Sequence, residues 1–162
     1  MSLRTSAPVA TTTSFILNPN NLKVEGFYCE DRFEKGKPIL LTQDIRDILQ
    51  QGLVINDYEV LAKADELVRL KDVLDLNFQL IGKQVVTTSK HKIGKVIDFA
   101  VETNTFYVQK IYVSQSLIKS LNAGQLSVDR TQIVEITNKK IVIQEILKGH
   151  KSAVPAGAPA AS

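Results

Sequence analysis

At 162 residues, with a formal net charge of +3, 44% hydrophobic and 23% charged residues, the chain has the balance of an ordinary soluble globular protein. No apolar run exceeds three residues, against about 20 for a membrane-spanning helix and about 7 to 15 for the core of a signal peptide, so a soluble, cytoplasmic protein is expected. Cys29 is the only cysteine, which excludes an intramolecular disulfide and a multi-thiolate metal centre. The net charge conceals an asymmetry: residues 1–80 carry 9 Lys and Arg against 12 Asp and Glu, or −3, and residues 81–162 carry 11 against 5, or +6.

Short apolar runs rich in Val, Ile, Thr, Tyr and Phe, punctuated by Asn, Gly, Pro and Lys, predict a mainly β fold. In chain order, strands are expected near 8–17, 22–29, 38–42 and 52–56, with a turn at Asn18-Pro19-Asn20-Asn21. The strand pattern then breaks. Over Ala64 to Leu76 the apolar residues Leu67, Leu70, Val73 and Leu74 recur on one helical face, and Asp65 and Glu66 suit the positive end of a helix dipole. Further strands follow near 80–87, 92–101, 105–114, 125–128, 132–137 and 140–146, with turns at Lys90-His91, Glu102 to Asn104 and Asn138-Lys139. A helical turn is expected at Ser116 to Leu121 and a disordered tail from about Lys148.

The chain also contains itself twice. Residues 8–30 lie on residues 92–114 at a constant offset of 84, pairing Val9 with Ile93, Phe15 with Phe99, Val24 with Val108 and Tyr28 with Tyr112. After a slip of one, Leu41-Thr42-Gln43-Asp44 lies on Leu126-Ser127-Val128-Asp129 and Ile48 on Ile133; a further slip of two sets Val54-Ile55 on Ile141-Val142. Two small β-barrels in tandem joined by a short α-helix are the architecture this predicts: 1–60 the first barrel, 61–78 a helical connector packed between the barrels, 79–147 the second barrel, 148–162 the tail. The counterpart of Leu80–Val86 in the first copy would begin before Met1, so Met1 to Thr5 is expected to supply only a stub of strand. The resulting open edge invites cover by the connector, by residues outside the given sequence, or by another chain, including self-association.

The segments Leu80-Ile81-Gly82-Lys83-Gln84-Val85-Val86, Ile93-Gly94-Lys95-Val96, Tyr107 to Val113 and Asp129 to Ile136 resemble the PRC-barrel family. The first copy resembles it through Pro8-Val9-Ala10, Ile16-Leu17-Asn18-Pro19, Val24 to Tyr28 and Leu41 to Arg46. The resemblance implies a small, strongly bent β-barrel of the kind found in the photosynthetic reaction-centre H subunit and in RimM-type ribosome maturation factors, where it serves as an assembly or docking domain and not as a catalyst.

No catalytic constellation accompanies this pattern. His91 sits in an expected turn and His150 in the tail, Gly82-Lys83 and Gly94-Lys95 lack the remainder of a phosphate-binding loop, and the carboxylates Glu30, Asp31, Asp44, Asp65, Glu66 and Asp129 fall at element ends where capping is expected. Cys29 reads as a buried strand thiol. No enzyme activity, metal or cofactor is expected. Phe15, Phe27, Tyr28, Phe99 and Tyr112 read as barrel core, whereas Tyr58 and Tyr107 are candidate exposed anchors. The candidate contact residues are Lys83, Lys90, Lys92, Lys95, Lys110, Arg130, Lys139 and Lys140, which make the second copy basic. They suit docking to another protein, or alternatively contact with RNA or a ribosomal particle.

Overall fold

The computed structural model describes residues 1–33, 35–115 and 124–145; the helical turn expected at 116–121 and the expected tail lie outside them. Eleven strands form among the described residues: β1 (Ala10–Asn18), β2 (Lys23–Asp31), β3 (Ile39–Leu41), β4 (Ile45–Leu49), β5 (Gly52–Ile55), β6 (Gln84–Thr87), β7 (Lys92–Val101), β8 (Val108–Gln115), β9 (Gln125–Asp129), β10 (Ile133–Ile136) and β11 (Lys140–Ile143). The protein is mainly β. It divides into two compact units, the first comprising Met1–Leu80 with Ala100–Gln109 and the second Ile81–Phe99 with Lys110–Ser162.

In the second unit the strand order is β10-β11-β6-β7-β8-β9. β11 and β6 run parallel and the other described ladders run antiparallel. The inward row of Val85, Val96, Ile111, Val113, Val128, Ile141 and Ile143 is almost wholly shielded from solvent, as expected for strands that present alternate residues to one core. No sheet closes on itself among the described residues. Between β9 and β10 the chain makes a 3₁₀ turn at Arg130–Gln132, which carries it round the corner without a ladder.

The first unit holds a three-stranded sheet in the order β1-β2-β3 and a β4-β5 hairpin. Ser2 bridges Ile55 in parallel, Leu3 N–H donates to the Ile55 carbonyl at 2.8 Å and Ile55 N–H donates to the Met1 carbonyl at 2.9 Å. This is the arrangement of β6 beside β11, where Thr87 pairs with Ile143 and Thr88 N–H donates to the Ile143 carbonyl at 3.0 Å. Met1 to Leu3 therefore form the expected stub. The order β4-β5-stub, then β1-β2-β3, repeats the second unit with one ladder open.

The pairings correct the sequence alignment in the second half of the repeat. Gly26 pairs with Leu41 as Lys110 pairs with Asp129, and Ile45, Asp47 and Ile48 meet Ile55, Val54 and Leu53 as Ile133, Glu135 and Ile136 meet Ile143, Val142 and Ile141. From β3 onward the true offset is 88. The increase from 84 places four extra residues between β8 and β9. Leu41 is the counterpart of Asp129, and Asp44 that of Gln132.

A hydroxyl is buried at the same place in both stub and β6. Ser2 is 1% exposed and Thr87 3%. Ser2 Oγ accepts from the Arg4 and Thr5 N–H groups at 3.1 and 3.3 Å, and Thr87 Oγ1 accepts from the His91 N–H at 3.1 Å. Each side chain thus satisfies backbone donors of the tight turn that follows its strand.

The connector is less regular than its apolar period suggests. Ala64–Glu66 and Val68–Leu70 form 3₁₀ turns and only Lys71–Leu76 (α1) is α-helical, because Leu67, with φ −95° and ψ 66°, interrupts the helix. Leu67, Leu70, Val73 and Leu74 nevertheless pack on Ile16 and Ile39 of the first unit. The same unit includes the tip of the β7–β8 hairpin: Val24 N–H donates to the Phe106 carbonyl and Val108 N–H to the Leu22 carbonyl, both at 2.8 Å. Leu22 and Phe106, at matching positions of the repeat, share a left-handed backbone, φ 59° and 62°.

The aromatic residues assigned to the core are only half-buried. Phe15 and Phe27 face each other across β1 and β2. The interior of the described residues is aliphatic but for Phe78, 6% exposed. Cys29 does sit in it, 2% exposed, and burial pushes its thiol pKa up.

Candidate functional site

The eight predicted cationic residues do not form one patch. Lys95 on β7 and Lys140 on β11 both stand in register with Gln84 of β6. The next row, Val85 with Gly94 and Ile141, points inward, so alternation sends Lys95, Gln84 and Lys140 outward together. Two strand spacings separate the lysine backbones by about 10 Å. Lys83 joins this group by donating from Nζ to the Asn138 carbonyl at 2.6 Å. Lys139 joins it through the same turn, which Thr137 Oγ1 holds by accepting the Lys139 and Lys140 N–H groups at 3.3 and 3.1 Å.

Lys90 lies beyond the other end of β6, on its turn to β7, and Lys92 opens β7 opposite Val86, about 7 Å along β6 from Gln84. Lys110 and Arg130 form a third group around Asp129, which pairs with Lys110 in the β8–β9 ladder. The Asp129 carboxyl is held below its usual range first by the Thr131 N–H, then by the Thr131 hydroxyl and the two cationic charges. It also caps the 3₁₀ turn, accepting from Thr131 N–H at 3.0 Å, the role read from the sequence. Asp44, by contrast, ends its turn and caps nothing at its start.

Among the described residues, Lys90, Lys92, Lys95, Lys139 and Lys140 are exposed and none has a carboxylate within ion-pairing distance. The described part of the second unit carries 8 Lys and Arg against 4 Asp and Glu, +4. Beside the Lys83, Lys95, Lys139 and Lys140 group, Ile97 and Ile81 stand 47% and 45% exposed. Ile97 shares the outer face of Lys95, and Ile81 lies two residues from Lys83. The group is a cationic frame beside exposed aliphatic side chains.

Tyr58 and Tyr107 are half-buried and engaged: the Tyr58 hydroxyl donates to Asp31 Oδ2, and the Lys23 ammonium sits 5.8 Å from the centre of the Tyr107 ring. Glu66 accepts from the Lys63 N–H at 3.2 Å and Asp31 from the Phe33 N–H at 2.9 Å, both local turn contacts. Among the described residues no three His, Cys, Asp or Glu side chains converge on a point that could hold a metal ion, and no helix is long and apolar enough to cross a membrane.

One residue near the cations gave no sequence signal. Glu145 Oε1 accepts the Ser89 N–H at 2.7 Å and the Thr88 hydroxyl at 3.5 Å, and Oε2 lies 4.0 Å from His91 Nδ1. Hydrogen bonds from Ser89 and Thr87, with a smaller contribution from His91, lower its pKa from 4.5 to about 2. A lowered folded pKa means this latch stabilises the β6–β7 turn at pH above about 4.5 and is lost as pH falls through about 2. A carbon-detected NMR titration is expected to give a Glu145 midpoint near 2, with the Ser89 amide moving in step; a midpoint at 4.5 refutes the latch.

No known protein family's sequence profile matches the chain, and a search of the curated proteins returns no significant match.

Proposed function

We propose that this chain is a non-catalytic, cytoplasmic docking module built from two tandem PRC-type barrel folds, and that its second unit binds an acidic protein surface. The observation that carries the reading is the group of Lys83, Lys95, Lys139 and Lys140 framing exposed Ile81 and Ile97. An aliphatic centre with a charged rim is how protein interfaces divide affinity from steering and register. The PRC-type assignment rests on the family resemblance of the segments and on the repeated strand order, with its parallel stub or strand beside β5 and β11.

RNA contact is the second reading, favoured by the +4 balance of the described second unit. Protein docking is preferred because single-stranded RNA recognition relies on aromatic stacking platforms, and the aromatics of this unit, Phe99 and Tyr112, are half-buried and outside the lysine row. The test is affinity capture from native cytosol, with and without nuclease, using the natural chain and a Lys95→Glu, Lys139→Glu, Lys140→Glu variant. A protein partner retained after nuclease and bound at least about tenfold more weakly by the variant is expected. Capture that disappears with nuclease supports RNA instead, and capture indifferent to the three substitutions overturns the site.

A further inference from the structure

We infer that the acidic surface taken by the lysine frame belongs to a second copy of this chain: the outer face of the connector, in the first unit of one molecule, docks on the lysine frame of the second unit of another. The inference rests on the docking reading and names its partner.

Charge is the first ground. The described residues of the first unit hold 9 Lys and Arg against 12 Asp and Glu, −3, whereas those of the second unit hold 8 against 4, +4. Opposite fields on one chain steer its copies together head to tail and hold like units apart.

The connector concentrates the acidic excess. Over residues 59–76 it carries Glu59, Asp65, Glu66, Asp72 and Asp75 against Lys63, Arg69 and Lys71, and Lys71 is already held by Asp75 at 2.6 Å. Asp65 and Asp72 are exposed, and among the described residues no cation lies within ion-pairing distance of either. Because Leu67, Leu70, Val73 and Leu74 turn inward onto Ile16 and Ile39, helical spacing sets Val68, Asp72 and Leu76, at i, i+4 and i+8, on the far side. Val68 is 79% exposed and Leu76 44%, about 12 Å apart along the connector.

The two faces are therefore complementary in both respects. One shows exposed aliphatic side chains bordered by carboxylates; the other shows Ile81 and Ile97 bordered by Lys95, Lys139 and Lys140, whose ammonium groups have no carboxylate within ion-pairing distance among the described residues. Apolar contact supplies affinity and the charges supply register. Since the faces differ, the contact is heterologous, and each molecule in a pair keeps one face open unless a ring closes.

Sedimentation equilibrium of the full chain is the test. Concentration-dependent association is expected, weakened at least about tenfold in about 1 M salt, where the Debye length falls to about 3 Å. Two variants are made, one with Lys95→Glu, Lys139→Glu and Lys140→Glu and one with Asp65→Lys and Asp72→Lys. Each alone is expected to associate at least about tenfold more weakly than the natural chain. Mixed in equal amounts they are expected to form a one-to-one dimer, because each retains the face the other has lost, and unfolded variants could not produce this rescue. A chain that stays monomeric up to about 1 mM, association indifferent to either variant, or loss in both variants without rescue on mixing overturns the inference. Capture of a foreign protein that depends on the three lysines, by a chain that remains monomeric, also overturns it and leaves the docking reading standing.

Discussion

Gly94→Ala is expected to unfold the second unit while the core of the first, apart from the Ala100–Gln109 hairpin tip, stays folded. A Cβ on Gly94 would lie 1.5 Å from the Ser114 carbonyl oxygen, 2.7 Å from its carbon and 3.4 Å from Gln115 Cα. All three are backbone atoms of β8, so no side-chain rotation can relieve the clash. Gly94 also pairs with Val85 on its other side, which blocks relief by moving β7 away. Overpacking a tight core ordinarily costs about 1 to 3 kcal/mol and sometimes more; contact this close with backbone belongs above that range, against about 5 to 15 kcal/mol of total stability for a typical domain. The readout is the NMR spectrum: amides of Val85, Val128 and Ile141 lose their native dispersion while those of Ile39 and Leu17 keep theirs. Gly36→Ala, where no atom lies within 4 Å, is the matched control and changes neither. A folded Gly94→Ala second unit would mean that β7 and β8 do not cross as closely as described.

Ile39→Ala is expected to destabilise the first unit by about 2 to 5 kcal/mol, the usual cost of emptying a fully buried aliphatic site. Ile39 is 0% exposed, and its cavity would open at the junction of three elements. It pairs with Tyr28 across β2 and β3, exchanges backbone bonds of 2.8 and 2.9 Å with Ala62, and supports Val73 of α1 together with Ile16. A helix of six residues has almost no intrinsic stability in water. Its order comes from that contact and from Asn77, which closes it in a left-handed turn with its N–H on the Leu74 carbonyl at 3.1 Å. Hydrogen exchange over residues 71–76 is therefore expected to accelerate along with the fall in the first unit's unfolding midpoint. Loss of less than about 1 kcal/mol would remove Ile39 from the core.

The repeat, the mainly β character and nearly every strand were legible in the sequence because alternating or continuous aliphatic runs report burial directly. β4 was not. Ile45 to Leu49 pairs with β5 alone and is exposed along most of its length, so no apolar period marks it. The alignment beyond β3 failed because four extra residues enter between β8 and β9, and the chance agreement of Leu41-x-x-Asp44 with Leu126-x-x-Asp129 concealed them. The basic character of the second copy is plain in the sequence, but the division of its cations into three groups is not. It depends on the parallel pairing of β6 with β11, which brings Lys140 beside Gln84 across 56 positions of sequence, and no local pattern records it. Glu145 and the buried hydroxyls of Ser2 and Thr87 were invisible for a related reason, since each acts on backbone N–H groups of a turn, and a single polar residue at a strand end looks ordinary.

The first unit is not a continuous stretch of chain. It is completed by Ala100–Gln109, the tip of a hairpin whose flanking strands belong to the second unit, and the carbonyls of Leu22 and Phe106 are bonded only when both hairpins are present. During synthesis, the β1–β2 hairpin must wait for residue 109 to leave the ribosome, several seconds at about 5 to 20 residues per second, before its last backbone partners exist. Over that interval β1 and β2 can fold against β3 and the connector, but the left-handed turns at their tip stay unclamped. A split at residue 80 therefore parts Leu22 and Val24 from the hairpin tip that bonds them.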